Sequence, residues 1–172
     1  MHIISTCDKI NAVRRNNMHK ISRKYNAEKM QEGRRMNILF YLVPKSEVMY
    51  LYDDYTMRQA IEKMEYHKYG AVPIISREGA YVGTLTEGDI LWELAGRDFH
   101  DIHDVEEISL RRIKRKRDNQ PVNVNCNIED LVMTSLNQNF VPVVDDNGIF
   151  IGIITRKSII EYFYNKYKEQ NA

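Results

Sequence analysis

Cysteine is scarce in this sequence of 172 residues: Cys7 and Cys126 are the only two, and they form no C-x-x-C pair. Neither a disulfide framework nor a zinc site is supported, and a reducing compartment, the cytoplasm, is the default expectation. Long apolar runs are missing as well. Ile149 to Ile154, interrupted by Gly152, falls far short of the roughly 20 residues a helix needs to cross a bilayer, and the N-terminus lacks the apolar core of a secretory signal. Charge of one sign is also lacking. Lys and Arg number 25 against 24 Asp and Glu, a formal +1, so no whole-protein field draws the chain onto nucleic acid or an anionic membrane. Walker, G-x-G-x-x-G, G-x-S-x-G and H-E-x-x-H patterns are all absent, which leaves no candidate catalytic machinery and no expectation of an enzyme. His100-Asp101-Ile102-His103-Asp104 is the only cluster with metal-ligand chemistry, but its spacing matches no recognised site, and no metal is expected.

What is present divides unevenly. Residues 1 to 35 hold nine basic and three acidic residues, whereas the remainder carries a net negative charge. The first stretch is polar, shows no sustained period and reads as a basic, disordered segment outside the core. A basic arm touching RNA or lipid is the alternative. A third reading is that Glu32-Gly33-Arg34-Arg35 reflects purine-rich codons of a ribosome-binding site, with Met36 as the true start.

From Met36 onward the chain repeats itself. Gly70 to Leu91 aligns without a gap over Asn139 to Ile160, matching Pro73 with Pro142, Gly79 with Gly148, Gly83 with Gly152 and Thr86 with Thr155. Each copy reads as strand, helix, strand, strand, helix. In the first, Val48 to Tyr52 is a strand, and Thr56 to Gln59 is a capping box opening a helix with Met57, Ala60, Ile61 and Met64 inward. Ala71 to Ile75 and Tyr81 to Leu85 form a hairpin, and Thr86 caps a helix with Ile90, Leu91 and Leu94 inward. In the second, Val122 to Val124 is a strand, and a helix runs through Ile128, Leu131, Val132 and Leu136. Val141 to Val144 and Phe150 to Ile154 form the hairpin, and the last helix places Ile159, Ile160, Phe163 and Tyr167 on one apolar face. One such unit has too little core to stand alone. The expected fold is therefore α+β, with two β-α-β-β-α repeats packed sheet to sheet about a pseudo-two-fold axis. The repeats span 36–96 and 121–172, and 97–120 is a charged linker.

The repeat, the Thr-x-x-Asp after the last strand and the hydrophobic-Pro-hydrophobic strand together resemble a tandem pair of CBS domains, a Bateman module, and in particular the small stand-alone CBS-domain proteins of bacteria. The resemblance implies a regulatory module that senses an adenine nucleotide, AMP, ADP or ATP, in the cleft between the repeats. It also implies a homodimer and a separate downstream protein. Thr86 is then the phosphate contact and Asp89 the ribose contact, since a carboxylate accepts from both hydroxyls of a diol and a helix start favours an anion. The same two residues also read as a capping box with no ligand role. The second copy departs from the pattern: Thr155-Arg156-Lys157-Ser158 has Ser in place of Asp, and its two cations in the first helical turn oppose the macrodipole unless phosphate is bound. Alternatively, Arg156 and Lys157 reach solvent or pair with Asp145 and Asp146. Positions matching the family's adenine contacts are Lys45, Val48, Tyr69, Ala71 and Pro73 in the first copy, and Val122, Phe140, Val141 and Pro142 in the second, with Tyr69 the candidate for stacking.

Within the linker, an acidic run from Asp98 to Glu107 precedes Arg111 to Arg117, in which six of seven residues are basic. It reads as a solvated face or a partner for those acids, with phosphate or nucleic-acid contact as alternatives. The resemblance also implies cyclic di-AMP as a variant ligand, since related stand-alone bacterial modules sense it, and basic residues near the clefts suit its two phosphates. A ligand-free interaction scaffold and a nucleic-acid binder are the rivals from other classes.

Overall fold

Thr56 and Thr86 open their helices by the same device. The Gln59 N–H donates to Thr56 Oγ1 and the Thr56 N–H donates back to Gln59 Oε1, at 3.3 and 3.0 Å. The helix α1, Met57–His67, buries Met57, Ala60 and Met64 at helical spacing and ends at Lys68, which takes the left-handed conformation. A computed structural model describes residues 37–96 and 108–171, which lie in one compact unit, Asn37–Ala172. The basic segment 1–35, the candidate start Met36, the acidic run and the His100 to Asp104 cluster lie outside the described residues.

The strands are β1 Val43–Pro44, β2 Leu51–Tyr52, β3 Ala71–Ile75, β4 Tyr81–Thr86, β5 Val122–Asn123, β6 Phe140–Val144 and β7 Phe150–Thr155. The remaining α-helices are α2 Glu87–Ala95, α3 Val132–Asn137 and α4 Arg156–Gln170. One sheet has the order β2-β3-β4 and the other β1-β7-β6-β5. Each hairpin pairs antiparallel, with Ala71 opposite Thr86 and Phe140 opposite Thr155, and each turn is closed by a glycine at positive φ, Gly79 and Gly148.

The two repeats meet at those turns. The Tyr81 N–H donates to Gly148 O at 3.2 Å and the Phe150 N–H donates to Gly79 O at 2.9 Å, while the Tyr81 and Phe150 rings stack at 6.2 Å. These contacts exchange when one copy is laid over the other, so the pseudo-two-fold axis passes between Ala80 and Ile149, which form an isolated bridge. The cores are exchanged as well. Ile108, Leu110 and Ile113, which precede the second repeat, sit in the first core with Leu51 and Val72, and Ile38, at the start of the first repeat, sits in the second core with Ile128 and Val141. Part of the stretch read as linker is therefore core.

Several expected elements differ. The strand expected from Val48 begins only at Leu51, because the Val48 N–H closes a turn onto Lys45 O at 3.3 Å. Likewise β5 ends at Asn123, whose side chain accepts from the Asn125 N–H at 2.9 Å in a turn. The helix expected through Ile128 starts as a 3-10 turn, Ile128–Leu131, before α3. Leu91, expected inward, is 57% exposed, and Leu136, Ile160 and Tyr167 also face outward, whereas Tyr162 is buried. The stripe of α4 that reaches its sheet runs through Ile159 and Tyr162, and the Ile160 and Tyr167 side is a second apolar face left uncovered. Among the described residues no helix is long and apolar enough to cross a membrane.

Candidate functional site

Asp89 is the third residue of α2 and only 3% exposed. Its carboxylate accepts three hydrogen bonds: Oδ2 from the Thr86 N–H at 3.0 Å and from Thr86 Oγ1 at 2.7 Å, and Oδ1 from the Lys116 N–H at 3.0 Å. Thr86 Oγ1 accepts in turn from the Asp89 N–H at 3.1 Å. Thr86 and Asp89 are thus a complete capping box, with the second carboxylate oxygen tied to a chain segment 27 residues away in sequence. A buried carboxylate needs such donors, because leaving it unpaired costs several kcal/mol, on the order of a lost charged hydrogen bond or more.

The segment carrying Lys116 crosses β4 alongside. Asp118 Oδ1 accepts from the Thr84 N–H at 2.8 Å and from Arg115 Nε at 2.8 Å, so a side chain takes the place of a strand partner on that edge. A Cβ at position 83 would lie 2.3 Å from Asp118 Oδ1, so any larger residue there would have to push that carboxylate aside. The Tyr81 hydroxyl donates to Asn119 O at 3.0 Å, and burial, the dominant influence, pushes its pKa well up, so it stays a neutral phenol. Lys116 Nζ lies 4.9 Å from the Trp92 ring centre on α2.

The other expected contacts distribute as follows. Ala71 and Pro73 lie on β3 opposite Thr86 and Thr84, next to the capping box, and Pro73 is buried. Tyr69 is half exposed and stacks on His67 at 5.6 Å and 11°. Lys45 belongs with the second sheet: its N–H donates to Ile151 O at 2.8 Å and its ammonium lies 5.6 Å from the Tyr50 ring centre. Val48 ends the same turn. In the second repeat Phe140, Val141 and Pro142 are buried on β6, and Val122 pairs with Val143. Thr155 Oγ1 accepts from the Ser158 N–H at 3.1 Å and shares a hydrogen bond with Ser158 Oγ at 2.8 Å. Arg156 Nε donates to Gln138 O at 2.9 Å, and Lys157, largely exposed, lies 3.8 Å from Glu161. The pairing of these cations with Asp145 and Asp146 is corrected: Asp145 accepts from the Asn147 and Ile149 N–H groups, and Asp146 from Asn123. The basic run also finds partners other than the acids before it, with Arg111 on Asp53 at 2.9 Å and Arg115 on Asp118.

Sequence reasoning missed the Lys116 N–H and Asp118 as parts of this junction, because a backbone donor and an irregular segment leave no periodic signal. It also missed a cluster in the second repeat, where Tyr162 donates to Glu129 and Lys166 Nζ lies 2.9 Å from Glu129 and 3.0 Å from the Tyr162 hydroxyl. Burial pushes the Glu129 carboxyl up, but the hydrogen bonds from Tyr162 and Lys166 outweigh it and hold the group below its ordinary value. Among the described residues no group of three or more His, Cys, Asp and Glu could hold a metal ion.

Comparison with known proteins follows the same division into halves. The family model of the CBS domain matches residues 42–96 and 107–165. A solved structure of CbpB in complex with c-di-AMP superposes with a TM-score of 0.70 at 22% identity, covering 84% of this chain and 95% of that one. A CBS domain protein from Streptococcus pneumoniae TIGR4 gives 0.67 at 24% identity, covering 86% and 97%. CBSX2 in complex with AMP gives 0.60 at 19% identity, covering 77% and 98%. A curated relative, the L-aspartate semialdehyde sulfurtransferase of Methanocaldococcus jannaschii, is 31% identical over 100 residues, which span 58% of this chain but only 18% of that protein.

Proposed function

The chain belongs to the CBS domain family, whose model covers both repeats, and from that premise we propose that it is a cytoplasmic regulatory module sensing an adenine nucleotide between its repeats. The observation that carries this reading is the junction at the start of α2. There a threonine hydroxyl, a helix N-terminus and the Asp89 carboxylate stand together, which are the groups a ribose phosphate needs. Ala71 and Pro73 on β3 provide the apolar wall beside it for a base. Thr155, Arg156 and Lys157 would supply the phosphate side of the second cleft, without a ribose clamp. In this reading 36–96 and 121–172 act as the two halves and 97–120 as the segment between them. The module binds and reports rather than catalyses, and its assembly is a homodimer acting on a separate protein.

Cyclic di-AMP is the second reading. The side chains of Arg112, Lys114 and Arg117 have no hydrogen-bond or ion-pair partner among the described residues and suit a ligand with two phosphates, and structural neighbours hold either that ligand or AMP. A thermal-shift panel of AMP, ADP, ATP and cyclic di-AMP on the full chain tests both. A ligand at 100 times its dissociation constant stabilises the fold by about 2.7 kcal/mol, and competition between the two classes identifies the preferred one. No shift with any adenosine compound overturns the sensor reading in favour of a scaffold.

A further inference from the structure

We infer that residues 113–118 form an internal strap that occupies the Asp89 carboxylate, so that a nucleotide entering the first cleft has to displace it. The inference rests on the nucleotide reading above and names a regulation of that site. Asp89 Oδ1 is filled by the Lys116 N–H, a donor from the chain itself standing where a sugar hydroxyl would donate. With Oδ2 committed to Thr86, the buried carboxylate has no exposed oxygen to offer a diol while the strap is seated.

The strap is built to be held at its ends and weakly in its middle. Ile113 is 4% exposed in the first core, and Asn119 O takes the Tyr81 hydroxyl while Asn119 Nδ2 donates to Phe140 O at 2.8 Å. Between these anchors residues 114–118 belong to no helix or strand. They attach through the Lys116 N–H, the Lys116 ammonium over Trp92 and the Asp118 carboxylate on the Thr84 N–H. No sheet ladder has to break for them to lift. Among the described residues the second repeat has no equivalent latch: Ser158 stands in place of Asp89 and its hydroxyl is turned onto Thr155. The latch is therefore particular to the first cleft, and the ligand's differential affinity for the open state sets how far the equilibrium moves.

Amide hydrogen exchange on the full chain tests this, with AMP and cyclic di-AMP as probes. In the free protein the Lys116 amide is expected to be protected, and Asp89→Ser, which installs the residue of the second repeat, is expected to release it while the α2 amides beyond the cap keep their protection. Saturating nucleotide is expected to deprotect Lys116 in the wild type. Lys116→Pro, which removes the donor, is expected to tighten nucleotide binding about tenfold, the worth of one hydrogen bond to a charged group. If Lys116→Pro is too unstable to titrate, Lys116 exchange in the wild type decides alone. Nucleotide binding with the Lys116 amide equally protected, or an unprotected amide in the free protein, overturns the strap and leaves the nucleotide reading standing. Absence of binding by either probe, with a protected amide, overturns the displacement together with the nucleotide reading and makes the strap a fixed tie.

Discussion

Glu129 shows how much chemistry a single residue acquires from its neighbours. Tyr162 and Lys166, one turn apart on α4, converge on one of its carboxylate oxygens, while the other oxygen is buried without a partner. A carboxyl held below its ordinary 4.5 contributes stability that is fully present above that value and is lost as the pH falls through the lower, folded value. The resistance of the wild type to denaturant is therefore expected to fall on acidification below about pH 4.5. Glu129→Gln is expected to cost about 1 to 3 kcal/mol at neutral pH and to flatten that acid limb. Nothing in the spacing of Glu129 and Tyr162 announces this pair, because they meet only when the first turn of one helix packs on the middle of another. Thr86 and Asp89 were legible as a cap and as a candidate site. The choice of third partner for Asp89 was not, since it is a backbone group far along the chain.

At the scale of elements, two glycines in equivalent positions make a test. A Cβ on Gly152 would stand 2.2 Å from Val43 O, a backbone atom of the neighbouring β1, whereas a Cβ on Gly83 would meet the side chain of Asp118. Backbone in a sheet cannot step aside and a carboxylate can. Gly152→Ala is therefore expected to lower stability by about 3 kcal/mol or more and Gly83→Ala by about 1 to 2 kcal/mol, read as shifts in urea midpoint at constant slope. The hairpins, α1 and the start of α2 followed from alternation, the two glycine turns and the capping boxes, all of which are local. The short strands β1, β2 and β5 were harder to place, because two paired residues carry no period and their bounds depend on what lies beside them.

At the scale of the molecule, α2 and α4 each bury one stripe and leave another bare. Leu91 and Trp92 on α2 are more than half exposed, as are Ile160, Tyr164 and Tyr167 on α4, where a groove of about 550 Å³ opens against Leu136 of α3. Apolar surface of this extent is characteristic of an interface, and it is the surface on which the proposed homodimer would form. Leu91→Asp with Ile160→Asp is expected to halve the mass seen by sedimentation equilibrium if the wild type is dimeric. Any loss of the protomer's own stability should be small, since neither side chain belongs to the core. A wild type that sediments as a monomer at all concentrations contradicts the homodimer.

The duplicated pattern, the caps and the glycine turns belong to the sequence alone, because each depends on contacts within a few residues and repeats at a fixed offset. Tertiary structure decided which apolar stripe of each helix is covered and which segments trade cores. It also decided that a main-chain N–H from between the repeats takes the carboxylate of Asp89. Those outcomes depend on groups distant in sequence competing for the same space and the same hydrogen bonds, a competition that is settled only when the whole chain has packed.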